Sequence, residues 1–233
     1  MKPIYIYIHI CILNDWLEVL TNLIKNIKTS GLYNVVDKIR CFVLGNLGNT
    51  PQILIDEKIE IVKTDPNRKL YERFTLNNLY DDCLKEDFYV LYIHTKGINI
   101  GNKFTAKPKS SRQPVKDWVE YLIHFNMYRY KDMLKLLETN DCAGVQLKKG
   151  GVKANDGNTH YSGNFWWSKS SHIITLKRGI SSNYLAPEFW VASKKRKCKY
   201  ASLYLEPTAG YVSRVPKEKY ISEKNNIYFI SFS

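Results

Sequence analysis

The chain has 233 residues, with 35 lysines and arginines against 22 aspartates and glutamates, and a formal net charge of +13. An apolar content of 44% and an aromatic content of 13% exclude a disordered chain, which lacks the large apolar side chains that build a core. The longest apolar run, residues 4–13, is far shorter than the roughly 18 residues that a membrane span needs. We therefore expect a folded, strongly basic protein with no transmembrane segment and with an anionic partner.

The N-terminus and the cysteines predict the cellular compartment. Residues 4–10 alternate with a period of two, and Asn14, Asp15 and Trp16 follow where a signal peptide has small residues. This pattern favours a first β-strand over a secretion signal. The five cysteines are odd in number and include no C-x-x-C pair, which is typical of neither a disulfide framework nor a zinc site. A reducing, cytoplasmic location is the simpler interpretation.

The hydrophobic patterns predict alternating strands and helices. In chain order we expect strand 4–13, a helix that Asn14 or Asp15 caps and Gly31 ends, strands 40–44 and 59–63, helix 70–84 and strand 88–94. A loop at 96–116, a long helix at about 115–138, strand 142–147, helix 187–195 and strand 200–205 follow. No internal repeat or low-complexity linker interrupts this pattern, which indicates a single domain.

The alternation predicts an α/β fold in which helices flank a mixed, mainly parallel sheet. In such sheets, ligands bind beyond the carboxyl ends of the strands. Three segments that follow predicted strands are therefore candidates for the functional site, at residues 9–15, 94–97 and 148–164.

Much of the positive charge is concentrated in two of these regions. No acidic residue lies between Asp87 and Asp117, and Asp156 is the one acid between Ala143 and Ala186. The basic residues of the two regions are Lys96, Lys103, Lys107, Lys109, Arg112 and Lys116, then Lys148, Lys149, Lys153, Lys169, Lys177 and Arg178. Two basic regions at one sheet edge predict an electropositive mouth for an anion with several oxygens; the alternative is an ordinary solvated surface.

The end of the strand at 88–94 carries the first motif, His94-Thr95-Lys96-Gly97. The Lys96 ammonium and the Thr95 hydroxyl suit phosphate oxygens, and Gly97 permits a tight turn. The alternative is a strand end that is polar for no functional reason.

The second motif is His160-Tyr161-Ser162-Gly163-Asn164-Phe165-Trp166-Trp167. Tryptophan and tyrosine rings stack on sugar or base faces, and Asn164 can hydrogen-bond to hydroxyls as donor and as acceptor. Alternatively, Trp166 and Trp167 belong to the core.

The third motif, Ala186-Pro187-Glu188-Phe189-Trp190, places a carboxylate in the first turn of a predicted helix. Glu188 there stabilises the helix dipole, or acts as a general base that faces the cleft.

Together these motifs resemble a family of small GT-A-fold glycosyltransferases found in large DNA viruses and in bacterial surface-polysaccharide clusters. The segment from Glu72 to Leu76 resembles the E-x-x-T-L helix start of the same family. The resemblance covers about residues 4–190, and it implies one GT-A-like domain with a donor half at about 1–147 and an acceptor half at about 148–233. It implies a nucleoside-diphosphate sugar donor, expected to be a UDP-sugar, and a glycan or glycoprotein acceptor. A viral origin would place the protein in the host cytoplasm or in the virion.

The resemblance also implies roles for individual residues. The nucleotide would contact His9, Ile10, Asn14, Asp15, Glu72, Thr75 and Leu76, and the pyrophosphate would contact Thr95, Lys96 and Gly97. The transferred sugar would face His160, Ser162, Gly163 and Asn164. The acceptor side would hold Trp166, Trp167, Glu188 and Trp190, and the expected catalytic residues are Glu188, Lys96 and His94.

One departure from the family concerns the metal. Metal-dependent GT-A enzymes carry Asp-x-Asp at the end of the strand that here ends in His94-Thr95-Lys96, and no Asp-x-Asp occurs in this chain. The metal normally neutralises the departing diphosphate, and Lys96 with the basic loops can do so instead. His94 is the candidate ligand if Mn²⁺ or Mg²⁺ binds, so the sequence is compatible with metal-dependent and with metal-independent transfer. We favour neutralisation of the diphosphate by Lys96. In an inverting enzyme Glu188 would be the essential base, and in a retaining enzyme its role would be positional.

Two alternative functions belong to other classes of protein. A charge of +13 with 17 tyrosines is compatible with a nucleic-acid-binding module that contacts phosphates and stacks on bases. The chain has no recognition-helix, zinc or RNP-type motif, so we expect no nucleic-acid partner. A catalytically inactive nucleotide-sugar-binding homologue is the other alternative.

Overall fold

The computed structural model describes residues 2–97, 113–149, 159–194, 197–206 and 213–221, together with the backbone of 228–232. Its strands are β1 (Ile4–Cys11), β2 (Lys38–Leu44), β3 (Ile59–Asp65), β4 (Tyr89–His94), β5 (Cys142–Gly144), β6 (Leu147–Lys149), β7 (Thr159–Tyr161), β8 (Trp166–Lys169), β9 (Cys198–Ser202) and β10 (Tyr228–Phe232). Its α-helices are α1 (Trp16–Thr29), α2 (Arg73–Cys83), α3 (Gln113–Ile123), α4 (Tyr130–Thr139), α5 (Ser170–Ile173) and α6 (Ala186–Trp190).

Eight strands form one mixed sheet in the order β10-β9-β5-β8-β4-β1-β2-β3, and β6 pairs with β7 separately. The pairings β1–β2, β2–β3, β1–β4 and β5–β9 are parallel, whereas β4–β8, β5–β8 and β9–β10 are antiparallel. The prediction of an α/β fold with a mixed, mostly parallel sheet is confirmed.

Helices cover both faces of the sheet, so its central strands are apolar on both sides. On β1, Ile6, Ile8 and Ile10 belong to the core that α1, α3 and α4 cover. Tyr5 and Tyr7 point to the opposite face, which α2, α5 and α6 cover. Alternate residues of a strand point to opposite faces, which explains how one short segment builds both cores.

The chain changes direction across the sheet between β1 and β4. Strands β1, β2 and β3 follow one another towards one edge, and the chain then returns to place β4 on the other side of β1. The crevice at such a switch point, outside the carboxyl ends of the strands, is where α/β sheets bind ligands.

Several element boundaries differ from the sequence-based ones. The predicted long helix contains a π-helical turn at His124–Tyr128 between α3 and α4, and the indole of Trp167 donates a hydrogen bond of 3.0 Å to the Asn126 carbonyl in that turn. The predicted strand 142–147 ends at Gly144, and Gln146 has a φ of 57° before β6 begins. The predicted helix 187–195 is shorter, at Ala186–Trp190.

The first helix agrees with its predicted end. Gly31 lies just past α1 with a φ of 80°, a conformation that favours glycine. Asp15 precedes α1, but its side chain makes no capping hydrogen bond. In the part of the chain that the structure describes, no helix has the length and apolar character of a membrane span.

Candidate active site

The carboxyl ends of β1 and β4 bring two histidines side by side. His9 and His94 are register partners in the parallel pairing. His9 is buried, and its Nδ1 lies 2.8 Å from the Thr75 hydroxyl of α2. Burial lowers the pKa of His9 to about 4, although Glu72 opposes the shift. The imidazole is therefore neutral at physiological pH.

The Glu72 carboxylate, just before α2, connects three parts of the fold. Its Oε2 accepts a hydrogen bond of 2.7 Å from the Tyr92 hydroxyl and one of 2.6 Å from the Asn164 amide. Its Oε1 lies 3.7 Å from His94 Nδ1. Hydrogen bonds to an ionised group are the strong ones, so these partners hold the carboxylate in one orientation.

His94 is held from the opposite side by the second motif. Its Nε2 donates to the Gly163 carbonyl at 3.1 Å, and its ring packs edge to face on Phe165 with centroids 5.4 Å apart. Burial and the nearby charge of Lys96 lower the pKa of His94 to about 3. His94 is therefore a second neutral imidazole at this edge of the sheet.

The second motif forms a tight turn between β7 and β8. Gly163 and Asn164 have φ values of 99° and 54°. Asn164 is 1% exposed, and its Oδ1 accepts a 2.8 Å hydrogen bond from the Trp166 indole while its amide donates to Glu72. Both ends of the amide are thus used within the protein. Asn164 positions Glu72 and does not present its amide to a sugar, contrary to the sequence-based expectation.

Lys96 follows β4 and is 6% exposed. Its ammonium lies 4.2 Å from the centroid of the Trp118 ring of α3, a cation–π geometry. Burial lowers the pKa of Lys96, and the negative charges of Glu188 and Glu72 oppose that shift. Gly97, with a φ of 88°, then turns the chain. The Lys96 ammonium is a cation largely removed from water.

Glu188 of α6 is half-buried near the same lysine. Burial raises its pKa, Lys96 and His160 oppose the shift, and the negative charge of Glu72 adds to it. His160 is buried and packs edge to face on Phe189, with centroids 5.2 Å apart. A carboxylate with a raised pKa near a cation is a candidate for proton transfer.

A cavity of about 480 Å³ lies between α1 and α3 and reaches Lys96, a size that suits a small-molecule ligand. Of the residues expected to bind a nucleotide sugar, Asp15, Lys96 and Gly97 line it, while Asn14 is exposed and Ser162 is partly exposed. The cavity is further lined by Glu18, Val19, Thr21, Asn22, Lys25, Val115, Lys116, Val119 and Glu120. Of these residues, sequence reasoning had singled out only Lys116, as part of the electropositive mouth. It missed the others because the outer face of an amphipathic helix carries no pattern that distinguishes a cavity wall from a solvated surface.

Three other predicted binding residues are enclosed in the protein. Ile10 and Leu76 are fully buried in the cores on opposite faces of the sheet. The Thr95 hydroxyl accepts a hydrogen bond of 3.1 Å from the Cys11 amide, which ties the end of β4 to the end of β1. The side chains of Ile10, Leu76 and Thr95 therefore support the site and do not line it, which corrects the expectation of ligand contact.

The tryptophans expected on the acceptor side belong to the core. Trp166 and Trp167 are fully buried on opposite faces, where Trp166 stacks on Tyr92 with centroids 5.0 Å apart and Trp167 donates to the Asn126 carbonyl. Trp190 is buried too, and its indole donates to a backbone carbonyl at 2.9 Å. No face of these rings is open to an acceptor, so this part of the prediction is wrong.

The expected electropositive mouth is seen only in part. Residues 98–112 and 150–158, which hold many of its lysines, lie outside the described ranges. Lys116 lines the cavity beside Lys96. Arg178 instead forms a two-point ion pair with Asp81 at 2.7 and 2.8 Å, so its charge is used on the surface of α2.

The described residues around His94 do not make a three-ligand metal site. Its Nε2 is hydrogen-bonded to a backbone carbonyl and its Nδ1 faces Glu72 at 3.7 Å. Within the described ranges, the three-residue group with metal-ligand geometry lies elsewhere, at Asp141, His172 and Cys198. We therefore derive no step through a protein-bound metal at His94.

Comparison with known proteins assigns no family to the chain. No protein-family model matches it, and a search of curated proteins finds no similar sequence. The functional argument therefore depends on the residues gathered at the β1–β4 switch point.

Proposed function

We propose that the protein is a GT-A-like glycosyltransferase that transfers a sugar from a nucleoside-diphosphate sugar, expected to be a UDP-sugar, to a glycan or glycoprotein acceptor. One observation carries the proposal. Lys96 is buried at the β1–β4 switch point under the influence of two carboxylates, Glu72 and Glu188, and it lines a cavity of about 480 Å³. This arrangement combines a cation for an anionic leaving group with a carboxylate for an attacking hydroxyl.

Lys96 would stabilise the diphosphate as it departs. Charge stabilisation is strongest where water is excluded, and the Lys96 ammonium is largely buried. The rest of the charged lining is mixed, since Lys25 and Lys116 share the cavity with Asp15, Glu18 and Glu120. The buried Lys96 is therefore the cation that the proposal assigns to the diphosphate. In this proposal Lys96 takes the place of the metal that an Asp-x-Asp motif would hold.

Glu188 would act as the general base of an inverting transfer. The acceptor hydroxyl attacks the anomeric carbon and gives its proton to Glu188, while the bond from that carbon to the diphosphate breaks and its electron pair leaves with the diphosphate. A carboxylate whose pKa burial has raised is a better base than an exposed one. Glu72, His94 and Asn164 act as positioning residues.

Free thiols support the proposed cytoplasmic location. Cys11, Cys41, Cys83, Cys142 and Cys198 are all free. Reduced thiols persist in the cytosol, where glutathione and thioredoxin maintain them.

A thermal-shift titration with UDP, UDP-sugars and single-stranded DNA, each with and without Mn²⁺, tests the proposal. A ligand at 100 times its dissociation constant stabilises the folded state by about 2.7 kcal/mol, so binding of UDP or a UDP-sugar should raise Tm. A salt-sensitive shift with DNA and none with UDP-sugars would instead identify a nucleic-acid-binding protein. Binding without transfer or hydrolysis of any donor would identify an inactive homologue. The arms with and without Mn²⁺ report metal dependence.

Two variants test the assigned roles. Lys96→Ala should weaken UDP binding by about tenfold to a hundredfold, since a hydrogen bond to a charged group contributes about 1.5–3 kcal/mol. Lys169→Ala is the control, because Lys169 ends β8 beside the start of β4, at the far end of that strand from Lys96, and is partly buried. Glu188→Gln should bind UDP normally and lose turnover. Unchanged UDP affinity in Lys96→Ala, or normal turnover in Glu188→Gln, would remove that residue from the proposed mechanism.

A further inference from the structure

Three side chains of metal-ligating type meet at a place remote from the candidate active site. One ligand atom each from Asp141, His172 and Cys198 lies within 4.8 Å of the other two. Cys198 Sγ is 4.0 Å from His172 Nδ1. Cys198 and His172 are 2% and 3% exposed, and Asp141 is partly exposed.

The topology places this cluster at the amino ends of the strands, whereas the β1–β4 switch point lies at their carboxyl ends. Asp141 directly precedes β5 and Cys198 begins β9, and these two strands are parallel neighbours. Because β8 is antiparallel to both β4 and β5, strands β5 and β9 run in the same direction as β4. The cluster therefore lies at the amino ends of these strands, where α5 brings in His172.

The surrounding hydrogen bonds orient the three ligand atoms. His172 Nε2 donates to the Val191 carbonyl at 2.8 Å, which leaves the lone pair of Nδ1 directed at Cys198. A hydrogen bond from the ring nitrogen that does not bind the metal commonly fixes the orientation of a metal-bound histidine. Asp141 Oδ2 accepts from the Lys199 amide at 2.8 Å. Among the described residues no hydrogen bond reaches the other carboxylate oxygen, so a ligand can take it.

The donor set selects the kind of ion. Imidazole nitrogen, thiolate sulfur and carboxylate oxygen are the ligands of Zn²⁺, whereas Mg²⁺ and Ca²⁺ take oxygen ligands only. On a tetrahedral zinc ion, with ligand bonds of about 2.0–2.3 Å, neighbouring donor atoms are about 3.3–3.6 Å apart. The 4.0 Å between Cys198 Sγ and His172 Nδ1 is close to that spacing. The partly exposed side of Asp141 gives water access to a fourth position.

We propose that Asp141, His172 and Cys198 bind one zinc ion, which joins α5 to the amino ends of β5 and β9. The site is remote from the β1–β4 switch point, so it is independent of the proposed transferase activity. No motif in the sequence indicates it, since the three residues are widely separated along the chain and belong to no C-x-x-C or H-x-x-H pattern.

The full-length protein, purified without chelator and then supplied with excess zinc and desalted, tests this inference by metal analysis. We expect about one zinc per chain and a lower Tm after removal by a strong chelator, with recovery when zinc is restored. Substitution by Co²⁺ should give the charge-transfer absorption of a cobalt–thiolate bond.

Matched variants assign the ligands. Cys198→Ser and Asp141→Asn should each lose at least tenfold in zinc affinity, and Cys198→Ser should lose the cobalt–thiolate band. Asp141→Asn retains an oxygen that can accept from the Lys199 amide, so its fold should persist. Cys83→Ser, at a buried cysteine on α2, should keep both the zinc and the band.

Two results would overturn the inference. One is a wild-type protein that holds no zinc, shows no cobalt–thiolate band and has a Tm that zinc leaves unchanged. The other is a zinc content that survives unchanged in Cys198→Ser and Asp141→Asn. Either result would leave the cluster as an ordinary thiol–imidazole hydrogen bond in the core.

Discussion

Replacing Gly163 by alanine should destabilise the protein through two separate effects. Gly163 has a φ of 99°, where a residue with a Cβ is strained by about 1–2 kcal/mol. An added Cβ would also lie 2.6 Å from Leu122 Cδ1 and 3.3 Å from Trp118 Cζ2. Both neighbours are in the core, so overpacking adds about 1–3 kcal/mol. The sum is about 2–5 kcal/mol.

Gly179→Ala is the matched control for this prediction. Gly179 has a φ of 85°, but an added Cβ would meet nothing within 4 Å, so only the backbone strain remains. Urea unfolding followed by tryptophan fluorescence measures both variants. At a slope of about 2 kcal/mol per molar urea, the midpoint of Gly163→Ala should lie about 0.5–1.5 M below that of Gly179→Ala. Equal midpoints would refute the argument that the second motif is packed tightly against α3.

Three further predictions concern the candidate active site. Tyr92→Phe removes a hydrogen bond to the Glu72 carboxylate and should lower the free energy of unfolding by about 1.5–3 kcal/mol in urea titrations; an unchanged value would show that this bond contributes nothing. Burial lowers the pKa of His9 to about 4, so the stability that its neutral form contributes is present above pH 6.5 and is lost as the pH falls towards 4. His9→Asn should therefore reduce the slope of stability against pH by about 1.4 kcal/mol per pH unit in that window, and an unchanged slope would contradict the assignment. If Glu188 is the base, the rate should fall on acidification at a higher pH than an ordinary glutamate would give, and a flat acid limb in a pH–rate profile would contradict its role.

The sheet and its helices were largely predictable from the sequence. The alternation of β-branched and aromatic residues in the first strand, and the return of apolar residues every three or four positions in the first helix, are local patterns that follow from strand and helix geometry. Boundaries were less predictable where a distant side chain intervenes. Trp167 binds the Asn126 carbonyl inside the predicted long helix, where the structure has a π-helical turn, and no local pattern shows that contact.

The candidate site was likewise predictable from the sequence only in part. His94 and Lys96 were singled out because they end or follow a buried strand, and Glu188 because it lies in the first turn of a helix. Their catalytic roles come from the family resemblance and stay a prediction. The side chains of Asn164, Trp166 and Trp167 are chemically suited to a sugar, but their neighbours decided otherwise. Burial is a property of what packs against a residue, so residue type cannot determine it.

By itself, the sequence determined the α/β class, the order of most elements and the polar strand end at His94 and Lys96, because these depend on the periodicity of neighbouring residues. Only the tertiary structure decided which charges meet. The charges of Glu72, just before α2, and of Glu188, in α6, both act on the same lysine. Strand pairing brings Asp141 and Cys198 together from distant parts of the chain. Electrostatic and metal-binding properties depend on distances in space, and the sheet order sets those distances.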